Sequence, residues 1–145
     1  MGRAMAEFFD PAEVWAPFGA FSMAAVLGKG RTVHLKAQVA LDREGRLVGA
    51  GDMRRQMEQV FTNIAAVLAS LGGVMADVVA LTHYTSDIAA FMAAGDIRRR
   101  HFAPPYPVTT TVQVAAFYHP DVMLEIAAIA EIPRERFRAP EARPE

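Results

Sequence analysis

Apolar residues return at two different intervals along this chain, and each change of interval marks an element. In RTVHLKAQVAL, residues 31–41, they alternate. Val33, Leu35, Ala37 and Val39 share one face of a strand, and His34, Lys36 and Gln38 share the other. The preceding FSMAAVL reads as a first strand, turned around Gly28-Lys29-Gly30. Residues 42–45 form a turn, and Leu47-Val48 a short third strand. From Asp52 the interval lengthens to three or four, through Met53, Met57, Val60, Ile64, Val67, Leu68 and Leu71. That is an amphipathic helix with Asp52 as its cap and Gly72-Gly73 as its stop. Residues 78–85 return to strand. Asp87 caps a second helix with Phe91, Met92 and Phe102 apolar, ended by Pro104, Pro105 and Pro107. Strands at 110–117 and 122–132 follow, joined around Tyr118-His119-Pro120-Asp121.

The predicted order is β-β-β-α-β-α-β-β. It describes an α+β fold, a mixed sheet with two helices on one face. The other face is left bare, and a bare sheet of this size calls for another subunit. The domain is expected to span 1–132. The remainder, PRERFRAPEARPE at 133–145, is charged, proline-rich and expected to fray.

Composition narrows the function classes. A chain of 145 residues fits one domain with a sizeable core. A net charge of -1 gives no global electrostatic basis for nucleic acid or an anionic membrane. With no cysteine there is no thiol nucleophile, disulfide or thiolate metal site. No stretch reads as a membrane span or a secretory leader, and Ala6 stands where a myristoylation signal after Gly2 wants Ser or Thr. The expectation is a soluble, cytoplasmic protein with neither nucleic-acid nor membrane partners. His34, His83, His101 and His119 show no metal-ligand spacing, so no metal is expected. Arg98, Arg99 and Arg100 read as the solvated face of the second helix. Ser22 lacks the G-x-S-x-G setting of a nucleophile elbow.

Several residues carry candidate chemistry. Glu125, between Leu124 and Ile126, needs a partner or a wet cleft; it reads as a general base or as half of an intersubunit salt bridge. Lys36, one of two lysines, reads as a carboxylate partner, an amine nucleophile or a solvated edge residue. Pointing to the bare face, it would pair with Glu125 of its own or a neighbouring subunit. Thr109, Thr111 and Gln113 share a face that is either a hydrogen-bonding pocket wall or simply strand formers at an interface. Tyr84 reads as packed, with its hydroxyl at an interface, and His119 as a loop residue that rims a cleft or is solvated.

The frame GDMRRQMEQVFTNIAAVLASLGGVMADVVALTHYTSDIAAF, with Gln56, Asn63-Ile64, Leu68, Gly72, Asp77, Tyr84, Asp87 and Phe91, resembles the Rid family, also called the YjgF family, and DVMLEIAAIA resembles its last strand. The resemblance implies a chorismate-mutase-like fold, a homotrimer around a central barrel, and small-molecule clefts between subunits. It also implies hydrolysis of reactive imines or enamines without cofactor or metal. Glu125 falls where the family has a water-orienting glutamate. The family's Pro-x-Arg-Ser/Thr element reads Pro107-Val108-Thr109-Thr110, so Thr109 stands in place of the substrate-clamping arginine. Thr111 takes a small polar cleft position. Gly19-Ala20-Phe21-Ser22 stands for Gly-x-Tyr-Ser, and Lys36-Ala37-Gln38 for Ser-Gly-Gln. The implied site is thus catalytic Glu125 with Lys36, Ala37, Gln38, Thr109, Thr111, Phe21, Tyr84 and His119 around the substrate. Without the arginine, 2-aminoacrylate is expected to be a poor substrate and a neutral or larger compound a better one. The alternative is a non-catalytic trimer that binds a small molecule or a partner. No residue set here performs the ribonuclease chemistry often attached to the family.

Overall fold

The computed structural model describes residues 5–141 and 143; the Gly2 signal and parts of the tail lie outside them. The long helix forms where its periodicity places it. α1 spans Met53–Ser70, with the Asp52 side chain accepting from the Arg55 N–H. Met57, Val60, Phe61, Ile64 and Leu68 are wholly buried against the sheet. Gln56 is also fully buried, and its amide has three partners: it donates to the carbonyls of Gly49 and Asp121 and accepts from the Met123 N–H. A buried amide satisfied in this way fixes the loop that leads into the last strand.

Three strands precede α1, but not the expected three. β1 (Glu7–Phe9) pairs antiparallel with β2 (Ala24–Val26) in a separate two-stranded sheet. β3 (Arg31–Val39) belongs to the main sheet, so β2 and β3 form no hairpin. The Gly28 and Gly30 N–H groups donate instead to the Glu131 carboxylate (2.9 and 2.8 Å). The segment around Leu47 is reduced to one bridge with Leu41. The main sheet adds β4 (Val78–Thr85), β5 (Val108–Gln113) and β6 (Leu124–Ile132) in the order β3-β6-β4-β5. Only the β4–β5 pair is parallel, which makes the sheet mixed and leaves β3 and β5 as its edges. The second helix is two: α2 (Ile88–Ala93) and α3 (Gly95–His101), broken at Ala94-Gly95. Together with α1 they cover one face of the sheet. Its other face carries Ala80, Thr82, Tyr84, Glu125, Ala127 and Ile129 uncovered.

The segment after β6 is docked over 133–138, where fraying was expected. Arg136 grips the buried Asp77 carboxylate through two nitrogens (2.7 and 2.9 Å) and reaches the Gly72 carbonyl. The Arg138 N–H donates to the Leu71 carbonyl, and Arg31 lies over the Phe137 ring. The charges that suggested disorder are partners for the end of α1. Gly72 has φ +82°, and a Cβ there would sit 1.9 Å from the Arg136 carbonyl oxygen, so only glycine fits the junction. No helix among the described residues is long and apolar enough to cross a membrane.

Candidate functional site

A cavity of about 350 Å³ lies at the β5 edge, under α3. Its floor is built by a backbone zipper. The Ser22 N–H donates to the Pro107 carbonyl and its hydroxyl to the Tyr106 carbonyl, which lays residues 19–22 along the start of β5. The Ser22 hydroxyl is thereby committed to structure. Phe21 comes to rest beside Thr109 and Thr111, and all three line the cavity. The threonine hydroxyls point to the helix side because Thr109 and Thr111 pair with Leu81 and His83, whose side chains are buried there. Thr111 Oγ1 and His83 Nδ1 share a hydrogen bond of 2.8 Å.

The opposite wall is aromatic. Trp15 stacks on Phe18 (centroids 5.5 Å), and Phe21 meets both rings at 5.9 and 5.4 Å. Trp15 and Phe18 remain largely exposed, at 60% and 83%. Met92, Gly95, Arg98 and Arg99 complete the lining from α2 and α3.

Arg98 departs most from the expected solvated face. The guanidinium is half-buried, lies over the Phe91 ring at 4.8 Å, and has its Nε buried with no hydrogen-bond partner. Burial pushes its pKa below the ordinary value, and the neighbouring Arg99 charge adds to this. Arg100 turns the other way, to Glu58 on α1 (2.7 Å). Three consecutive helical residues point about 100° apart, so one solvated face was never available to all of them. That spacing is the signal from which one inward-facing member of the run could have been found, though not which one. His83, behind the cavity, is wholly buried, and its Nε2 also lacks a partner. Burial, and then the Arg98 charge, pull its pKa down to about 3, so it is neutral at physiological pH.

The other expected site residues lie elsewhere. Lys36, Ala37 and Gln38 line a second cavity of about 360 Å³ at the β3 edge, with Asn63 and Val67 of α1. The register of β3 against β6 shifts between Leu35 and Gln38, which places Gln38 opposite Ile126 and breaks the simple alternation. Lys36 is exposed; its Nζ donates only to the Ala37 carbonyl (3.2 Å), and no ion pair joins it to Glu125 within the protomer. Glu125 pairs in register with Val39 and Tyr84 on the uncovered face, half-buried, with no hydrogen bond or ion pair among the described residues. Tyr84 is its neighbour. Thr111 belongs to the opposite face, so one protomer does not bring Glu125 to the threonines. His119 is exposed in its loop and accepts from the Asp121 N–H. No cluster of potential metal ligands occurs among the described residues.

The profile of the Endoribonuclease L-PSP family matches residues 12–132. The chain is 32% identical over 99 residues to a 2-iminobutanoate/2-iminopropanoate deaminase of Dermatophagoides farinae, covering 68% of this chain and 76% of that protein. Among solved structures it is similar to YyfB, a Rid-family protein of unknown function from Yersinia pestis. That likeness has a TM-score of 0.79 and 31% identity, over 88% of this chain and 98% of the other. RidA of an Antarctic Psychrobacter is similar with a TM-score of 0.65 and 30% identity, over 87% and 99%.

Proposed function

The chain belongs to the Endoribonuclease L-PSP family, in which the Rid proteins fall, and from that premise we propose that it hydrolyses a small imine, enamine or related carbonyl compound without a cofactor. The observation that carries the reading is Glu125. It is a half-buried carboxylate whose side chain has no partner among the described residues, at the position where the family has its water-orienting glutamate. A carboxylate left free in that way can take a proton from water as it attacks an imine carbon. The threonine hydroxyls and the backbone of β5 would hold the substrate.

The two halves of this site lie on opposite faces of one sheet, so the reading requires a neighbouring copy. Small residues such as Ala80, Thr82 and Ala127 on the uncovered face suit close sheet-to-sheet association into a trimer. In that assembly Lys36 and Gln38 border the neighbour's half of the cleft. With Thr109 in the arginine position, imines whose only handle is a carboxylate beside the reacting carbon, such as 2-aminoacrylate, lose a bidentate contact.

Imines generated in situ by an amino-acid oxidase from phenylalanine or leucine, which carry an apolar handle besides the carboxylate, provide the test, with keto-acid release followed and assembly monitored by light scattering. Glu125→Gln should lower turnover at least about 100-fold while leaving the assembly intact. Unchanged turnover would sink the assignment. A second reading, a trimeric binding protein without chemistry, is favoured by Thr109 and Phe21, which remove two polar groups from the cleft; it expects no acceleration by the native chain.

A further inference from the structure

We propose that Arg98 is the anion-binding residue of the β5-edge cavity, and that the ligand there is a carboxylate carried on an aromatic or bulky apolar body. The proposal rests on reading this cavity as part of the ligand cleft, and it names the class of compound that fits.

Three observations converge. First, Arg98 lines the cavity, is half-buried, and has no ion pair among the described residues. A guanidinium keeps its charge at neutral pH, and a desolvated one without a carboxylate is costly unless a ligand supplies the anion. Its Nε is buried with no hydrogen-bond partner, so the protein leaves that arm of the fork uncommitted. The other cationic groups of α3 are differently placed: Arg100 and His101 both bond Glu58, at 2.7 Å each, and Arg99 is exposed.

Second, the wall beside Arg98 is a cluster of Trp15, Phe18 and Phe21, with the first two exposed and Met92 close by. Exposed rings clustered around a cavity offer stacking to a flat apolar body. Third, the cavity of about 350 Å³ is far larger than a three-carbon imine and lies within the range of small-molecule sites, about 300–1,000 Å³. Thr109 and Thr111 on the β5 side supply hydroxyls but no charge. The cation therefore comes from the helix wall. The exposed aromatic wall of the same cavity is then left for an apolar body, which favours a bulky ligand over the shortest imines.

Trp15 is the only tryptophan of the chain, so its fluorescence reports on this cavity alone. Three probes separate the components: phenylacetate has ring and charge, phenylacetamide has the ring without charge, and acetate has charge without a ring. Phenylacetate should change Trp15 emission saturably, phenylacetamide should bind at least about 10-fold more weakly, and acetate should give no change at the same concentrations. Arg98→Met should reduce phenylacetate affinity to that of the amide, Arg98→Lys should recover part of it, and Arg100→Met, which lies outside the cavity, should leave it within about twofold. The two aromatic probes can be compared on the native chain, so a poorly folding Arg98 variant does not protect the idea. Equal binding of phenylacetate and phenylacetamide would overturn it. So would loss of binding in Arg100→Met in place of Arg98→Met. An emission that responds to protein concentration and to none of the probes would mark the aromatic wall as a contact between copies, and would also overturn it. Glu125→Gln should leave phenylacetate binding intact, so loss of hydrolysis and loss of anion binding are told apart.

Discussion

The two edge strands of the sheet border cavities of nearly equal size, about 350 Å³ at β5 and about 360 Å³ at β3. Their chemistry differs. At β3 the amide side chains are spoken for: Asn63 donates to the Val39 and Leu41 carbonyls, Gln59 donates to Asn63, and Gln38 donates to the Lys36 carbonyl. At β5 the helix wall contributes a half-buried guanidinium whose Nε has no acceptor, and behind it lies an imidazole whose Nε2 has none either. Orphaned buried polar atoms are rare in folded proteins, and both of these belong to residues on the helix side of the β5 edge. Size alone does not separate the two cavities; unspent hydrogen bonds do.

The sharpest way to break this contrast is acid. His83 has a folded pKa of about 3, against 6.5 in the unfolded chain. Because the folded value is depressed, its contribution to stability is complete above pH 6.5 and is lost as pH falls toward 3. Chemical denaturation followed by Trp15 emission should show a loss on the order of 3 kcal/mol between pH 7 and pH 4.5. His83→Asn should flatten that slope. The carboxyls of Glu58 and Asp96 are held low by His101 with Arg100 and by Arg54 respectively. A stability curve flat down to pH 4.5 in the native chain would show that the β5 edge is wetter than its geometry indicates.

A second test adds charge to the other wall of the same cavity. Thr109→Arg should raise turnover of 2-aminoacrylate about 10- to 100-fold over a slow native chain, the worth of a charge-assisted pair. No gain would mean that β5 does not face the reacting end of the substrate. The smallest effect belongs to β3. Lys36→Met should change stability by less than about 0.5 kcal/mol, since the ammonium is exposed and bonded only to its neighbour's carbonyl. It should leave phenylacetate affinity within about twofold and lower turnover about threefold. A turnover loss beyond tenfold would join the two edges into one site across the subunit boundary.

What the sequence made legible follows from how local each feature is. α1 was readable because Met53, Met57, Val60, Ile64 and Leu68 carry its period, and Asp52 and Asp87 announced two helix starts that the structure keeps. Thr109 and Thr111 were readable as wall residues because alternation holds along β5. The β3 bulge was not, because RTVHLKAQVAL alternates without a flaw and the extra residue is defined only by its partner β6. β1 was hidden because three residues carry no period, and its partner is set by distant pairing. The inward turn of Arg98 depends on the break at Ala94-Gly95, which the run of apolar and basic residues conceals.

The docking of residues 136–138 bears on how the chain comes into being. The carbonyls at the end of α1, Ala69, Leu71 and Gly72, receive donors from Arg136 and Arg138, more than 60 positions downstream. The same Arg136 neutralises Asp77, buried at the entrance to β4. During synthesis, therefore, the longest helix emerges early with its last turn open to water and a carboxylate beneath it unpaired. A stretch translated more than 60 residues later closes both, so the domain reaches its final stability only after the ribosome has passed Arg138.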